Sequence, residues 1–267
     1  MTFFSIPFLI WAGLGLIFYY ALPKKSQWIV LLCVSLGFYF YAGWVLFLIF
    51  AVQVLTVYLF ALSIPKLKGK SKKAVFALEI VIMLAALVLI KIGGAALGPI
   101  KTDFWMGFGW DESSLIIPLG ISYYTLMLIS YSIDVYREDI VPERNFFKLL
   151  LFAGFFPSVV QGPFNRYNDL APQFYEPHKF TGEEFTEGFL RFGWGIFKKM
   201  VVANRIAVLV NNIWAADKAP GIYVLLALLL YVFQLYADFS GFIDTSIGVA
   251  KMFGITIPEN FEKPYFS

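Results

Sequence analysis

The 267 residues are 60% hydrophobic and 19% aromatic, only 15% are charged, and the mean hydropathy is +0.74. A soluble domain carries nearer a quarter charged residues, so composition excludes that class and predicts an all-α polytopic membrane protein. The net charge of +3 is too small to call for a nucleic-acid partner, and the single cysteine, Cys33 in an apolar run, excludes an intrachain disulfide.

The start, Met1-Thr-Phe-Phe4, lacks the basic region of a signal peptide. Phe4 to Leu22 reads as a first span. Trp28 to Ile64 is 37 residues without a charge, twice the length of a span. It is predicted to turn at Ala42-Gly43-Trp44 as a tight hairpin of two spans. Ala74 to Leu97 is a fourth, with Lys91 near its end, where it can snorkel. Ile116 to Tyr136 is a fifth. Gly221 to Gly241 is a later one and runs on into a second apolar stretch, Ile243 to Ile257. The loop Lys66 to Lys73 carries five lysines and no acid, and Lys24-Lys25 separates the first two spans. The positive-inside rule places both loops in the cytoplasm and Met1 outside. The loop Gly98 to Leu115, with Lys101, Asp103, Asp111 and Glu112, then falls outside.

Phe146 to Val160 is an apolar run of 15 residues, too short to span a bilayer. Pro157, Gly162 and Pro163 break any helix there. Unpaired backbone survives at membrane depth only where it is buried in protein or lines a wet cavity. The pattern predicts a re-entrant segment around a site, with Gln161 and Arg166 flanking the Gly-Pro break. Arg166 offers a planar fork to an anionic group and is equally suited to anchoring the loop on headgroups or an acid.

In Glu183 to Trp214, the residues Glu184, Arg191, Lys198 and Arg205 recur every seven and so share a helical face. Phe185, Phe189, Phe192, Ile196 and Met200 mark another. This predicts an amphipathic helix over 183–214 at the cytoplasmic interface, its basic face on headgroups. A span with snorkelling ends is the competing reading.

Two polar stripes lie in the spans. Tyr123, Met127, Ser130 and Asp134 form one; Tyr231, Gln234, Asp238, Gly241, Thr245 and Gly248 form the other. An ionisable group at the bilayer centre costs about 2.5–3.5 kcal/mol on insertion scales. Asp238 is therefore either a site residue or a packing device bonded to a neighbour, with the glycines allowing close contact. Asp134 precedes Arg137 by three residues, which predicts a capping ion pair.

The catalytic inventory is thin. His178, the one histidine, sits in the polar loop Glu176-Pro-His-Lys-Phe180 and reads as a solvated loop residue. Ser240 lacks the leading glycine of a nucleophile elbow. There is no P-loop and no Cys/His cluster for a metal. By chemistry alone these residues do not make an enzyme.

Five segments, in this order, carry a resemblance: Ile117 to Thr125, Ser130 to Arg137, Phe155 to Arg166, Gln234 to Asp244 and Phe253 to Tyr265. Together the chain resembles the membrane-bound O-acyltransferase family, closest to the branch of the alginate O-acetyltransferase membrane subunit and related polysaccharide O-acetylases. The branch that moves D-alanine onto teichoic acids is similar in its Gly-Pro-x-x-Arg turn, but the run Arg166 to Phe174 looks more like the acetylases.

The resemblance implies a partial acyltransferase fold, a single membrane domain with re-entrant segments around a central tunnel. It implies acetyl transfer from a cytoplasmic thioester such as acetyl-CoA, a donor substrate and not a bound cofactor. The acceptor would be an extracytoplasmic polysaccharide or a partner acetyltransferase; membrane lipid would surround the whole, a multi-pass protein of a bacterial inner membrane. Family members carry their catalytic histidine in a later Trp-His-Gly motif. His178 does not match it, so the chain is expected to be an N-terminal portion without the catalytic residue. The tunnel candidates are Gln161, Arg166, Gln234, Asp238, Ser240 and Asp244, with Pro157, Gly162, Pro163, Asp134 and Asn260 as structural motif residues. A transporter with broken helices, or an inactive structural remnant, are the rival readings.

Overall fold

A computed structural model describes residues 6–96, 120–159, 162–216 and 220–260. Every regular element among them is helical, as the composition requires. Among the described residues, three helices are long and apolar enough to cross a membrane: Leu46–Lys66, Gly69–Lys91 and Gly221–Met252. The protein is an all-α membrane protein. Its chain divides into two compact units.

The first unit holds residues 25–160 and 165–176. It contains α1 (Gln27–Ala42), α2 (Trp44–Ser63), α3 (Gly69–Ala96), α4 (Ile121–Arg137), α5 (Phe146–Gly154) and the single turn α6 (Tyr167–Leu170). The hairpin forms where predicted. Gly43 adopts φ 148 and ψ 132, a conformation that other residues rarely take, and its N–H bonds back to Tyr39 and Phe40. α2 is central and packs on α1, α3, α4 and α5. Tyr39 stacks on Phe50 at 4.3 Å, and Tyr124 meets Phe50 edge-on at 5.1 Å. Gly154 lets α5 close on this cluster: a Cβ there would lie 2.9 Å from Phe50.

The segment expected to re-enter is a nine-residue helix followed by a turn. Asn145 caps it, accepting from the Phe147 N–H at 3.0 Å. Leu149, Leu151, Phe152 and Phe156 are wholly buried, Pro157 is buried in the turn, and the Phe156 N–H finds the Ser35 hydroxyl at 3.3 Å. Its broken backbone is thus buried in protein.

Three expectations for this unit need correction. The lysine loop is short: α3 begins at Gly69, so Lys70, Lys72 and Lys73 lie in its first turns. α4 starts at Ile121, after Gly120 at φ 71, where any Cβ would collide with the Val159 carbonyl. The Asp134–Arg137 ion pair does not form. Glu138, at φ 68, ends the helix instead, and its carboxylate pairs with Lys72. Asp134 lies on the buried face of the helix and Arg137 on the exposed one.

The second unit holds residues 2–24, 161–164 and 177–267. Its described helices are α7 (Ile6–Ala21), α8 (Gly182–Ile196), α9 (Asn204–Trp214) and α10 (Gly221–Met252). Phe197–Ala203 links α8 to α9 as a π-helix. The long helix expected over 183–214 is therefore interrupted. The two apolar stretches from 221 onward join as one helix of 32 residues, about 48 Å long. The first half of α10 exposes Ile222, Leu225, Leu229 and Phe233, as a lipid-facing span would, whereas 243–250 is buried. The chain leaves the helix at Met252, turns at Gly254 (φ 76) and runs non-helically to Asn260.

Candidate functional site

The site grows from a close helix pair. Gly188 and Gly195 on α8 face Gly248 and Gly241 on α10, both pairs seven residues apart. A Cβ on Gly195 would lie 2.5 Å from the Gly241 carbonyl, and one on Gly248 would lie 2.6 Å from the Gly188 carbonyl. Small residues here let the backbones touch. That contact brings the charged side chains of α8 and the π-segment over α10.

Asp244, with 11% of its side chain exposed, takes the Nε and Nη2 of Arg191 at 3.1 and 3.0 Å and the Nζ of Lys198 at 2.6 Å. The same guanidinium forks onto Glu259, in the segment after α10. Arg191 is held above its ordinary pKa, first by the hydrogen bond to Glu259 and further, against burial, by Asp244. One step back, Lys199 pairs with Asp238, and toward the other end Lys251 pairs with Glu187. Two consecutive lysines thus serve aspartates six residues apart. The π-segment sets that register, a feature frequent at functional sites.

Around the Arg191–Asp244–Lys198 triad lies a cleft of about 310 Å³. Trp194, Tyr236 and Ile243 form its sides, with Ser240 in the wall. Ser240 is 4% exposed and its hydroxyl has no hydrogen-bond partner among the described residues. The Gln234 carbonyl oxygen, a turn and a half earlier, is also buried without a partner.

Of the predicted site residues, the cleft gathers Ser240 and Asp244. Asp238 sits on Lys199 beside it, the arrangement a packing device requires. Arg166 lies in the first unit, exposed, its backbone starting α6. Gly162 and Pro163 are buried and Asn260 is exposed. Gln161 lies outside the described residues. The basic face expected on headgroups is corrected: Arg191 and Lys198 turn into the protein toward Asp244, and Glu184 accepts from the Thr181 hydroxyl at 2.7 Å. His178 is not freely solvated. Its ring lies 6.3 Å from Tyr19, and a Cβ on Gly254 would touch its Nδ1 at 2.7 Å. It is not among the residues lining the cleft.

Sequence reasoning passed over Glu259 and Glu79. Glu79, on α3, is wholly buried, accepts from the Ser132 hydroxyl of α4, and leaves its second oxygen unpartnered. The signal was present: it is the one acid within the candidate span Gly69–Lys91. For the cleft the signal was the matching seven-residue glycine spacing on two helices.

An all-helical membrane unit with a charged cleft defines the class, and comparison with known proteins narrows it. No family model matches the chain. It is 33% identical over 257 residues to the probable alginate O-acetylase AlgI of Azotobacter vinelandii, covering 93% of this chain and 50% of that one. To the protein of the same name from Pseudomonas aeruginosa it is 34% identical over 257 residues, covering 93% and 48%. The peptidoglycan O-acetyltransferase of Helicobacter pylori is 32% identical over 185 residues, covering 58% of this chain and 35% of that one. This is the similarity expected from the resemblance to the membrane-bound O-acyltransferase family. The chain spans about half the length of the curated relatives it matches.

Proposed function

We propose that the chain is part of a membrane O-acetyltransferase that moves acetyl from a cytoplasmic thioester, such as acetyl-CoA, toward an extracytoplasmic polysaccharide. The similarity over 93% of the chain to proteins named alginate O-acetylase carries the reading. The acceptor is a sugar hydroxyl or a partner enzyme that passes the acetyl on.

Acyl transfer to an alcohol needs a base to take the hydroxyl proton and donors to stabilise the developing oxyanion. The chain's one imidazole, His178, packs on Tyr19 and beside Gly254, away from the cleft residues, and receives no role. The base the resemblance implies is the histidine of a Trp-His-Gly motif, which these 267 residues do not contain. This half of the machinery holds and positions substrate.

The test is acetyl transfer from labelled acetyl-CoA to polysaccharide by membranes carrying a protein that includes both this chain and such a motif. Transfer is expected there and not with the 267 residues alone. His178→Ala is expected to keep turnover per folded protein near wild type. A loss of about 10³-fold, the range of a general base, refutes the assignment, and absence of transfer from any thioester refutes the function.

A further inference from the structure

The fork of Arg191 is filled from within the chain. Both oxygens of Glu259 lie on its Nη1 and Nη2, while Asp244 takes Nε and shares Nη2. Glu259 is half exposed, on a non-helical segment, whereas Asp244 is fixed on α10 and nearly buried. Glu259 is therefore the displaceable member. Beside the fork, Lys198 has two of its three N–H donors beyond its bond to Asp244. Ser240, buried in the same wall, carries a hydroxyl with no hydrogen-bond partner among the described residues. A carboxylate has two oxygens, and the fork consumes both of them on Glu259. A tetrahedral oxyanion has more, enough for an Arg fork, a Lys ammonium and a Ser hydroxyl that line one cleft.

We propose that the Arg191–Lys198–Ser240 cleft is a phosphate-binding site that Glu259 occupies when no ligand is present. With Glu259 in place the four charges around the cleft cancel. With Glu259 released the cleft carries one net positive charge, matched to an incoming phosphate. Ligand entry and release of the 254–260 segment are thus one exchange on Arg191. The phosphate is that of a soluble phosphoester such as a coenzyme, or that of a lipid headgroup. The inference does not rest on acyl transfer, because binding is read without turnover.

The experiment is calorimetric titration of the purified, detergent-solubilised protein with inorganic diphosphate. Glu259→Gln keeps the side chain's shape and removes the competing charge, so it is expected to tighten binding about tenfold. Ser240→Ala is expected to weaken it about fivefold, the scale of one hydrogen bond, and Arg191→Ala to abolish it. Because Arg191→Ala also removes both bonds to Asp244 Oδ1, the Glu259 and Ser240 variants decide, each checked for an unchanged melting temperature. Equal or weaker binding by Glu259→Gln, no effect of Ser240→Ala, or no binding by any form overturns the proposal. Two further arms identify the source. Coenzyme A is titrated in detergent, and phosphatidylglycerol is compared with phosphatidylcholine in nanodiscs. A Glu259-dependent gain for coenzyme A assigns a soluble ligand, and one for phosphatidylglycerol assigns a headgroup. A gain for neither overturns the proposal.

Discussion

At the scale of single residues, sterics and burial decide. Gly195 has no room for a methyl group, because the contacts at 2.5 and 2.6 Å are the backbone of Gly241 and Thr245, which cannot rotate away. Gly195→Ala should therefore cost about 2 kcal/mol through overpacking and lower the melting temperature in detergent. Gly193→Ala, with nothing within 4 Å, is the control on the same helix. Equal melting of the two variants would remove the helix contact from the account. Charge is read best at Glu138. Lys72 holds its carboxyl below the ordinary value of 4.5, first by hydrogen bonding and then by attraction. A depressed folded value means the pair's contribution is present above pH 4.5 and lost as pH falls through the depressed value. Carboxyl carbon shifts of Glu138 should titrate below 4.5, and Lys72→Ala should return the midpoint to it; an unmoved midpoint would show that the lysine is not the cause.

At the scale of elements, the π-segment Phe197–Ala203 decides which lysine meets which aspartate. It gives Lys198 to Asp244 and Lys199 to Asp238. The Lys199–Asp238 pair is 23% and 31% exposed, so its removal in halves should hurt more than its removal whole. Asp238→Leu strands an ammonium and should lower membrane yield. Adding Lys199→Leu should recover much of the loss, a coupling of about 1 kcal/mol. Additive losses would mean the two side chains do not depend on each other. Asp238→Asn keeps a hydrogen-bond acceptor for Lys199 and should be tolerated for yield. The glycine spacings and the lysine pair were both visible in the chain. What was not visible was the π-turn, since an extra residue per turn leaves no compositional mark and rotates the residues after it relative to Arg191.

At the scale of the whole molecule, the orientation rests on lysines. By the positive-inside rule, the five between residues 66 and 73 predict that the start of α3 lies inside. A cysteine at Ser71 should resist a membrane-impermeant thiol reagent applied to intact cells, and one at Asp111, outside the described residues, should react. The opposite pattern would invert the topology.

The helical membrane class, the hairpin at Gly43 and the break at Pro157 were legible because each follows from local terms: apolar length, a glycine-only dihedral, a missing N–H. The similarity to O-acetylases was legible in five ordered motifs. Partners were not. Whether Arg191 faces headgroups or Asp244, and whether Asp134 meets Arg137 or Glu138 meets Lys72, depends on which backbone lies opposite. Seven-residue spacing fixes a face but not its neighbour. Only the tertiary structure, by letting glycines bring α8 onto α10, decided that a row of cations would close a cleft in the protein.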